Sequence, residues 1–217
     1  MRNKAVVLLS GGLDSVTTLY FAKKAGFSCH CLIFDYGQRH KKEISAAKKI
    51  AQNLKCPFRV IKISLPWKGS SLLDANLAIP HRRSGKIPAT YVPGRNIIFL
   101  SFALSYAEAI AAKAIFIGAH AQDYSGYPDC RPEFFQAFDK VISRGTKAGV
   151  EKKGIKIKTP LINKTKAQII RLGNSLGVPF NLTWSCYRGG SRPCGKCDSC
   201  YYRAKGFKEA GLTESYK

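Results

Sequence analysis

Acidic residues are scarce in this 217-residue chain: thirteen Asp and Glu stand against thirty-six Lys and Arg, a formal charge of +23. A balance that basic points to anionic partners such as nucleotides, phosphates or nucleic acid, or to a highly soluble surface; the Lys residues run the whole length and form no single block. No G-x-x-x-x-G-K-[ST] string and no G-x-G-x-x-G string is present, so neither a Walker-type NTPase nor a dinucleotide-binding dehydrogenase is supported. A secretory leader is also missing: Met1-Arg2-Asn3-Lys4 leads into only five apolar residues, Ala5 to Leu9. Nor is there a membrane-spanning run. The most apolar stretch, Ile97 to Ile117, contains Glu108 and Lys113, with Ser101 and Ser105 at helical spacing, and reads as a buried helix followed by a strand. These absences predict a cytoplasmic protein without a membrane partner. Internal repeats and low-complexity tails are lacking too, while 45% hydrophobic and 11% aromatic residues suffice for a real core and exclude disorder as the dominant state.

Eight cysteines raise the question of a disulfide scaffold. Four of them, Cys186, Cys194, Cys197 and Cys200, crowd into fifteen residues near the C-terminus, a density that in a reducing compartment points to metal binding. Cys29, Cys31 and Cys56 sit beside strand-like runs and read as ordinary core residues.

Along the chain, apolar runs alternate with helical patterns. Ala5 to Leu9, Cys29 to Phe34, Phe58 to Ile63 and Ala114 to Gly118 read as strands, with Ile155 to Thr159 as an exposed or edge strand. Helical spacing covers Ser15 to Ala25, Lys41 to Leu54, Ile97 to Ala112, Glu133 to Ser143 and Thr165 to Leu176. Leu65 to Gly94 reads as irregular and holds four prolines, Ala119 to Pro132 as a polar loop, and the C-terminal remainder as Cys- and Gly-rich. Such alternation predicts an open α/β fold, a mostly parallel sheet with helices on both faces. The expected division is 1–180 for the sheet domain and 181–217 for a small C-terminal zinc-binding appendage. Ligands of such sheets bind beyond the carboxyl ends of the strands, where the polar Gly-rich segments fall.

Three strings carry chemistry. Ser10-Gly11-Gly12-Leu13-Asp14-Ser15 lies between a buried strand and a helix, where paired glycines let main-chain N–H groups approach a phosphate and the serines add hydroxyl donors. The bland alternative is a strand-to-helix turn capped by Asp14 or Ser15. Cys186-x7-Cys194-x2-Cys197-x2-Cys200 supplies four thiolates, which suit a closed, structural Zn2+ site; an iron–sulfur cluster fits the same spacing, and free thiols or disulfides are the plain alternatives. Asp123-Tyr124-Ser125-Gly126-Tyr127-Pro128-Asp129-Cys130-Arg131-Pro132 mixes rings, acids and hydroxyls in a way that suits a flat heterocycle, with rings for stacking and carboxylates for exocyclic amines.

The first string resembles the signature loop of the PP-loop ATP pyrophosphatase superfamily, whose members cleave ATP between the α and β phosphates. Together with Phe34-Asp-Tyr-Gly-Gln-Arg-His40, Val92-Pro-Gly-Arg-Asn96, Asp123 to Arg131, and Thr183-Trp-Ser-Cys186 running into the last three cysteines, it resembles the 7-cyano-7-deazaguanine synthase (QueC) family over nearly the whole chain. The resemblance implies an adenine nucleotide alpha hydrolase-like fold and a ligase that turns 7-carboxy-7-deazaguanine and ammonia into the nitrile through adenylated intermediates, with ATP going to AMP and pyrophosphate. It implies nucleotide binding by Leu9, Ser10, Gly11, Gly12, Leu13, Asp14, Ser15, Val16, Thr17 and Thr18, with Mg2+ on the phosphates. Asp14, Ser15, Arg95 and Lys164 are expected to be catalytic, Arg39 being a further candidate cation. Asp123, Tyr124, Tyr127, Asp129 and Arg131 are expected to hold the heterocycle, with metal binding as an alternative for Asp123. His40 and His120 are open between a structural and a catalytic role. A homodimer is implied as well. Nucleic acid is not expected as a partner, because 217 residues leave no room for a separate RNA-binding domain.

Overall fold

The computed structural model describes residues 2–81, 87–120 and 126–214. Five strands, β1 (Lys4–Leu8), β2 (Ser28–Asp35), β3 (Phe58–Lys62), β4 (Ala114–Phe116) and β5 (Lys156–Lys158), form one sheet in the order β3-β2-β1-β4-β5. Every neighbouring pair is parallel. The helices are α1 (Leu13–Lys24), α2 (Lys42–Asn53), α3 (Arg95–Ala109), α4 (Pro132–Gly145), α5 (Lys147–Val150), α6 (Lys166–Ser175) and α7 (Asp198–Ala210), with short 3-10 turns at Pro128–Cys130 and Phe180–Leu182.

The continuous apolar run of β1 is explained by burial on both faces. Ala5 and Val7 join a cluster with α1 (Val16, Leu19), α2 (Ile44, Ile50), α6 (Ile169, Ile170) and Phe207 of α7. Val6 and Leu8 point the other way, into a cluster with α3 (Leu100, Leu104) and α4 (Phe135, Phe138). The fold is therefore the expected parallel sheet covered on both faces. Strand β5 closes one edge with exposed Lys156 and Lys158, side chains that discourage pairing with another strand.

Residues of the expected irregular stretch from Leu65 form only turns where they are described. Arg39, a candidate active-site cation from sequence, pins this stretch: its Nη1 donates to the carbonyl of Leu77 at 2.9 Å and that of Ser71 at 3.4 Å.

Helices α5 and α7 are additions to the sequence reading. The buried positions of α7 are Cys200, Arg203, Gly206 and Phe207, a chemical mixture that gives no apolar stripe to read. Arg203 is only 2% exposed. Its guanidinium donates to the Phe180 carbonyl (2.9 Å), Thr183 Oγ1 (2.7 Å), Ser185 Oγ (3.2 Å) and the Glu214 carboxylate, so its buried charge is both paired and hydrogen-bonded. At Gly206 a Cβ would lie 2.5 Å from Lys166 Cγ, so the absent side chain is what lets the stem of Lys166 cross α7.

Candidate functional site

From β1 the chain moves outward through β2 and β3, then returns to the other side of β1 for β4 and β5. This reversal opens a crevice at the carboxyl ends of β1 and β4, the place where open α/β sheets bind ligands. A cavity of about 250 Å³ lies there. Its walls are Leu9, Ser10, Gly12, Asp14 and Ser15 after β1; Phe34 and Tyr36 at the end of β2; Glu43 of α2; Thr90; Arg95, Asn96 and Phe99 of α3; Gly118 and Ala119 after β4; and Tyr127, Trp184, Ser185, Tyr187 and Ser199.

The loop after β1 is held by its own hydroxyls. Ser10 Oγ and Ser15 Oγ are 3.0 Å apart, the Gly12 N–H donates to Ser10 Oγ at 3.3 Å, and Ser15 Oγ donates to the Gly12 carbonyl at 3.1 Å. No side chain caps α1, so its first main-chain N–H groups remain for an anion in the cavity. Gly11 has φ of +82°, and a Cβ there would lie 2.3 Å from the Glu43 carbonyl oxygen and 2.7 Å from Ala47 N. Only glycine accepts both the left-handed backbone and this approach to α2. Val16, Thr17 and Thr18 are fully buried and do not line the cavity; Thr17 Oγ1 donates back to the Leu13 carbonyl at 2.8 Å.

Asp14 meets a partner that the sequence reading did not name. Lys166 Nζ lies 2.7 Å from Asp14 Oδ1, 2.8 Å from Oδ2 and 2.9 Å from Nε2 of the buried His120. Burial alone would push the Asp14 carboxyl up, but the Lys166 ammonium and His120 outweigh it and hold the carboxyl well below the usual carboxylate range. Lys164, the expected catalytic lysine, is half-exposed and outside the cavity wall. Thr165 and Gln168 form a capping box that starts α6 at Lys166, which aims this lysine, and not its neighbour, at the loop.

Arg95 stands at the first turn of α3, with Nη1 3.4 Å from the Tyr36 hydroxyl and its guanidinium over the Tyr36 and Phe99 rings. Glu43 was not foreseen either. Gln38 Nε2 donates to its Oε1 at 3.0 Å, yet burial dominates and pushes the carboxyl up to about 7. An acid in the first turn of a helix is so ordinary that no sequence signal marks it.

The heterocycle string divides. Asp123 and Tyr124 lie outside the described residues. Tyr127 lines the cavity, its hydroxyl 2.8 Å from Thr90 Oγ1. Asp129 is buried and turned toward α3: its Oδ2 accepts from the Asn96 N–H at 2.9 Å and its carbonyl from Asn96 Nδ2 at 3.0 Å. That carboxylate serves as a cap supplied from a distant loop, and it is absent from the cavity wall. Arg131 is exposed, at the residue preceding α4, and is also outside the wall. His40 packs against Gly189, where a Cβ would come within 2.1 Å of the His40 Cβ.

The four C-terminal thiols converge, with all Sγ atoms within 4.8 Å of one another and Cys194 Sγ 4.0 Å from Cys200 Sγ. Four thiolates around one Zn2+ at about 2.3 Å sit roughly 3.8 Å apart, so the set fits a tetrahedral ion. Main-chain N–H groups point at the sulfurs: those of Arg188 and Cys194 at Cys186 Sγ (both 3.4 Å), those of Lys196 and Cys197 at Cys194 Sγ (3.4 and 3.3 Å). Hydrogen bonds from the Cys197 and Cys200 thiols hold Cys186 well below the usual thiol range. These four residues can hold a metal ion. They also anchor the cavity roof, because Trp184 Nε1 donates to the Cys186 carbonyl and the Trp184 N–H to the Gly11 carbonyl, both at 2.9 Å, tying thiol cluster to loop.

The architecture is of the PP-loop α/β fold class, a parallel sheet with helices on both faces. It aligns with NMN synthetase from Francisella tularensis (TM-score 0.53, 17% identity, 99% of this chain and 79% of that one) and with a 4-thiouridine synthetase solved with RNA and bound ATP (TM-score 0.50, 18% identity, 96% and 50%). Within that class, residues 4–211 match the family model "Queuosine biosynthesis protein QueC". The chain is 56% identical over 213 residues to 7-cyano-7-deazaguanine synthase 2 of Desulfitobacterium hafniense, covering 97% of this chain and 91% of the relative. It is 54% identical over 214 residues to the 7-cyano-7-deazaguanine synthase of Acetivibrio thermocellus (98% and 96%), and 51% identical to that of Thermoplasma acidophilum (97% and 90%). The chain belongs to the QueC family.

Proposed function

We propose that this protein makes 7-cyano-7-deazaguanine from 7-carboxy-7-deazaguanine and ammonia, converting ATP to AMP and pyrophosphate. The observation that carries the reading is a single cavity joining the Ser10–Ser15 loop, the Arg95 guanidinium and a set of aromatic walls (Tyr36, Phe99, Tyr127, Trp184) in a member of this family. Phosphate and flat heterocycle both find their chemistry in one enclosure.

A carboxylate resists attack by ammonia because its leaving group would be oxide. Transfer of AMP to the carboxylate oxygen releases pyrophosphate and makes AMP the leaving group. Ammonia displaces it to give the amide, and a second transfer, to the amide oxygen, allows loss of AMP and two protons to give the nitrile. Charge grows on the bridging phosphate oxygens in each transfer, and fixed donors aimed there lower the barrier. The main-chain N–H groups of the loop and the Ser10 and Ser15 hydroxyls are assigned to the departing pyrophosphate, and Arg95 to the α-phosphate or the substrate carboxylate. Lys166, fixed by Asp14, is the cation we assign to the role expected of Lys164. Asp14 and Glu43 are the carboxylates on the cavity wall that would hold Mg2+, which would supply charge neutralisation at the phosphates.

Zn2+ is the metal that best suits Cys186, Cys194, Cys197 and Cys200, and it would supply a closed crosslink with no vacant position. We assign 181–217 as the zinc-binding segment and 1–180 as the nucleotide-binding unit. No helix among the described residues is long and apolar enough to cross a membrane; a cytoplasmic homodimer is the state we propose. The test is incubation of the protein with ATP, 7-carboxy-7-deazaguanine and ammonium, followed by mass spectrometry. Nitrile with AMP is expected. Exclusive release of ADP and orthophosphate would sink the reading.

A further inference from the structure

Helix α3 begins without a cap of its own. Gly94 precedes it in the left-handed conformation, with φ of +62° and no side chain to offer, and no acid stands in the first turn. The first helical residue is instead Arg95, a cation at the positive end of the helix dipole, where its charge is disfavoured. The missing acceptor comes from Asp129, 33 positions beyond Asn96. Asp129 Oδ2 accepts from the Asn96 N–H at 2.9 Å, the Asp129 carbonyl accepts from Asn96 Nδ2 at 3.0 Å, and Cys130 Sγ accepts from the same Nδ2 at 3.1 Å. Asp129 and Asn96 are both buried. The neighbour of this clamp, Arg95, has its guanidinium on the wall of the main cavity, and its one hydrogen bond among the described residues goes to the Tyr36 hydroxyl at 3.4 Å. So long a contact fixes the side chain weakly, and its direction follows from where the first turn of α3 sits.

From this geometry we infer that Asp129 is a positioning residue for the reaction: it holds the first turn of α3 so that the Arg95 guanidinium is aimed at the group being activated, and it touches neither ATP nor the heterocycle. This rests on the functional reading above, which gives Arg95 its role. The carboxylate satisfies a buried N–H and offsets the positive helix end that Arg95 shares. Because it is spent on the main chain, the N–H donors of the guanidinium stay available to an anionic ligand. Without it the Asn96 N–H is left buried and unpaired, and the turn that carries Arg95 moves to find it a partner. The 3-10 turn that delivers Asp129 starts directly after Tyr127, whose ring lines the same cavity as Arg95. One short segment therefore sets an aromatic wall and, through α3, the cation facing it.

The test is a double-mutant cycle on the full-length, metal-loaded protein, read as AMP formed from ATP, 7-carboxy-7-deazaguanine and ammonium. Asp129→Ala is expected to lower kcat about 100-fold, the loss that follows from displacing a reacting group by about 1 Å. Arg95→Ala is expected to lower it about 100-fold or more. Because Asp129 acts through Arg95, the double variant should match Arg95→Ala within about twofold, in place of the roughly 10,000-fold loss that independent sites would give. Asp129→Asn keeps an oxygen for the Asn96 N–H and should lose no more than about tenfold in kcat, with the KM for the heterocycle unchanged. Should Asp129→Ala fail to fold, Asp129→Asn takes its place in the cycle, and its loss must likewise vanish beside Arg95→Ala. Additive losses, or a raised heterocycle KM in Asp129→Asn, would overturn the positioning role and leave the functional reading standing. Wild-type enzyme that forms no AMP would overturn both.

Discussion

Replacing Gly11 by alanine puts two costs on one residue, and the structure separates them. The first is conformational. Gly11 has φ of +82°, a region that a side chain enters at a cost of about 1–2 kcal/mol. The second is collision: the new Cβ would stand 2.3 Å from the Glu43 carbonyl oxygen and 2.7 Å from Ala47 N, both main-chain atoms of α2 that no rotamer change can move aside. Overpacking of this kind costs roughly 1–3 kcal/mol. Gly26 is the internal control, with φ of +86° and nothing within 4 Å of its virtual Cβ, so Gly26→Ala carries the first cost alone. In a domain of this size about 1 kcal/mol lowers Tm by roughly 2–4 °C. Thermal melts should therefore show Gly11→Ala falling by roughly 4–20 °C and Gly26→Ala by roughly 2–8 °C. Because α2 must shift away from the loop, Gly11→Ala should also raise the KM for ATP, an effect absent from Gly26→Ala. Equal Tm losses, with ATP kinetics unchanged in both, would show that the loop does not rest on α2 and that its glycines serve the turn alone.

Glu43 has a carboxyl pushed up from about 4.5 to about 7, so the native state binds this proton more tightly than the unfolded chain does. Its ionisation therefore costs stability as pH rises from about 4.5 to about 7, and Glu43→Gln should gain up to about 3 kcal/mol at pH 8 and nothing at pH 4, measured by urea unfolding. Lys166→Met leaves the Asp14 carboxylate without its main partner. The carboxyl now held low contributes stability above its unfolded value and loses it as pH falls, so the variant should be weaker by about 1–3 kcal/mol at neutral pH, with the gap closing in acid. Cys197→Ala should release the bound metal, lower stability, and blunt turnover by loosening Trp184 and Ser199. Full metal content by elemental analysis would refute the four-thiolate site.

The local sequence determined the sheet and the helices α1 to α4 and α6, since burial on both faces writes a central parallel strand as an unbroken apolar run and helical spacing marks the segments that cover it; α5 and α7 carry no such signal. It also marked the loop after β1 and the thiol quartet, because glycine pairs and cysteine spacing carry their chemistry within a few residues. What it left undecided depends on distance through space. Lys166 sits 152 positions from Asp14, and a chain read locally gives no reason to prefer it to Lys164; the capping box at Thr165 and the bare face of Gly206 make the choice. Asp129 reads as a binding residue until α3 is seen to claim its carboxylate. Glu43 is an ordinary helix-start acid until the loop, Gln38 and α2 close around it and withdraw its water. Desolvation and pairing are properties of an enclosure, and only the folded chain builds one.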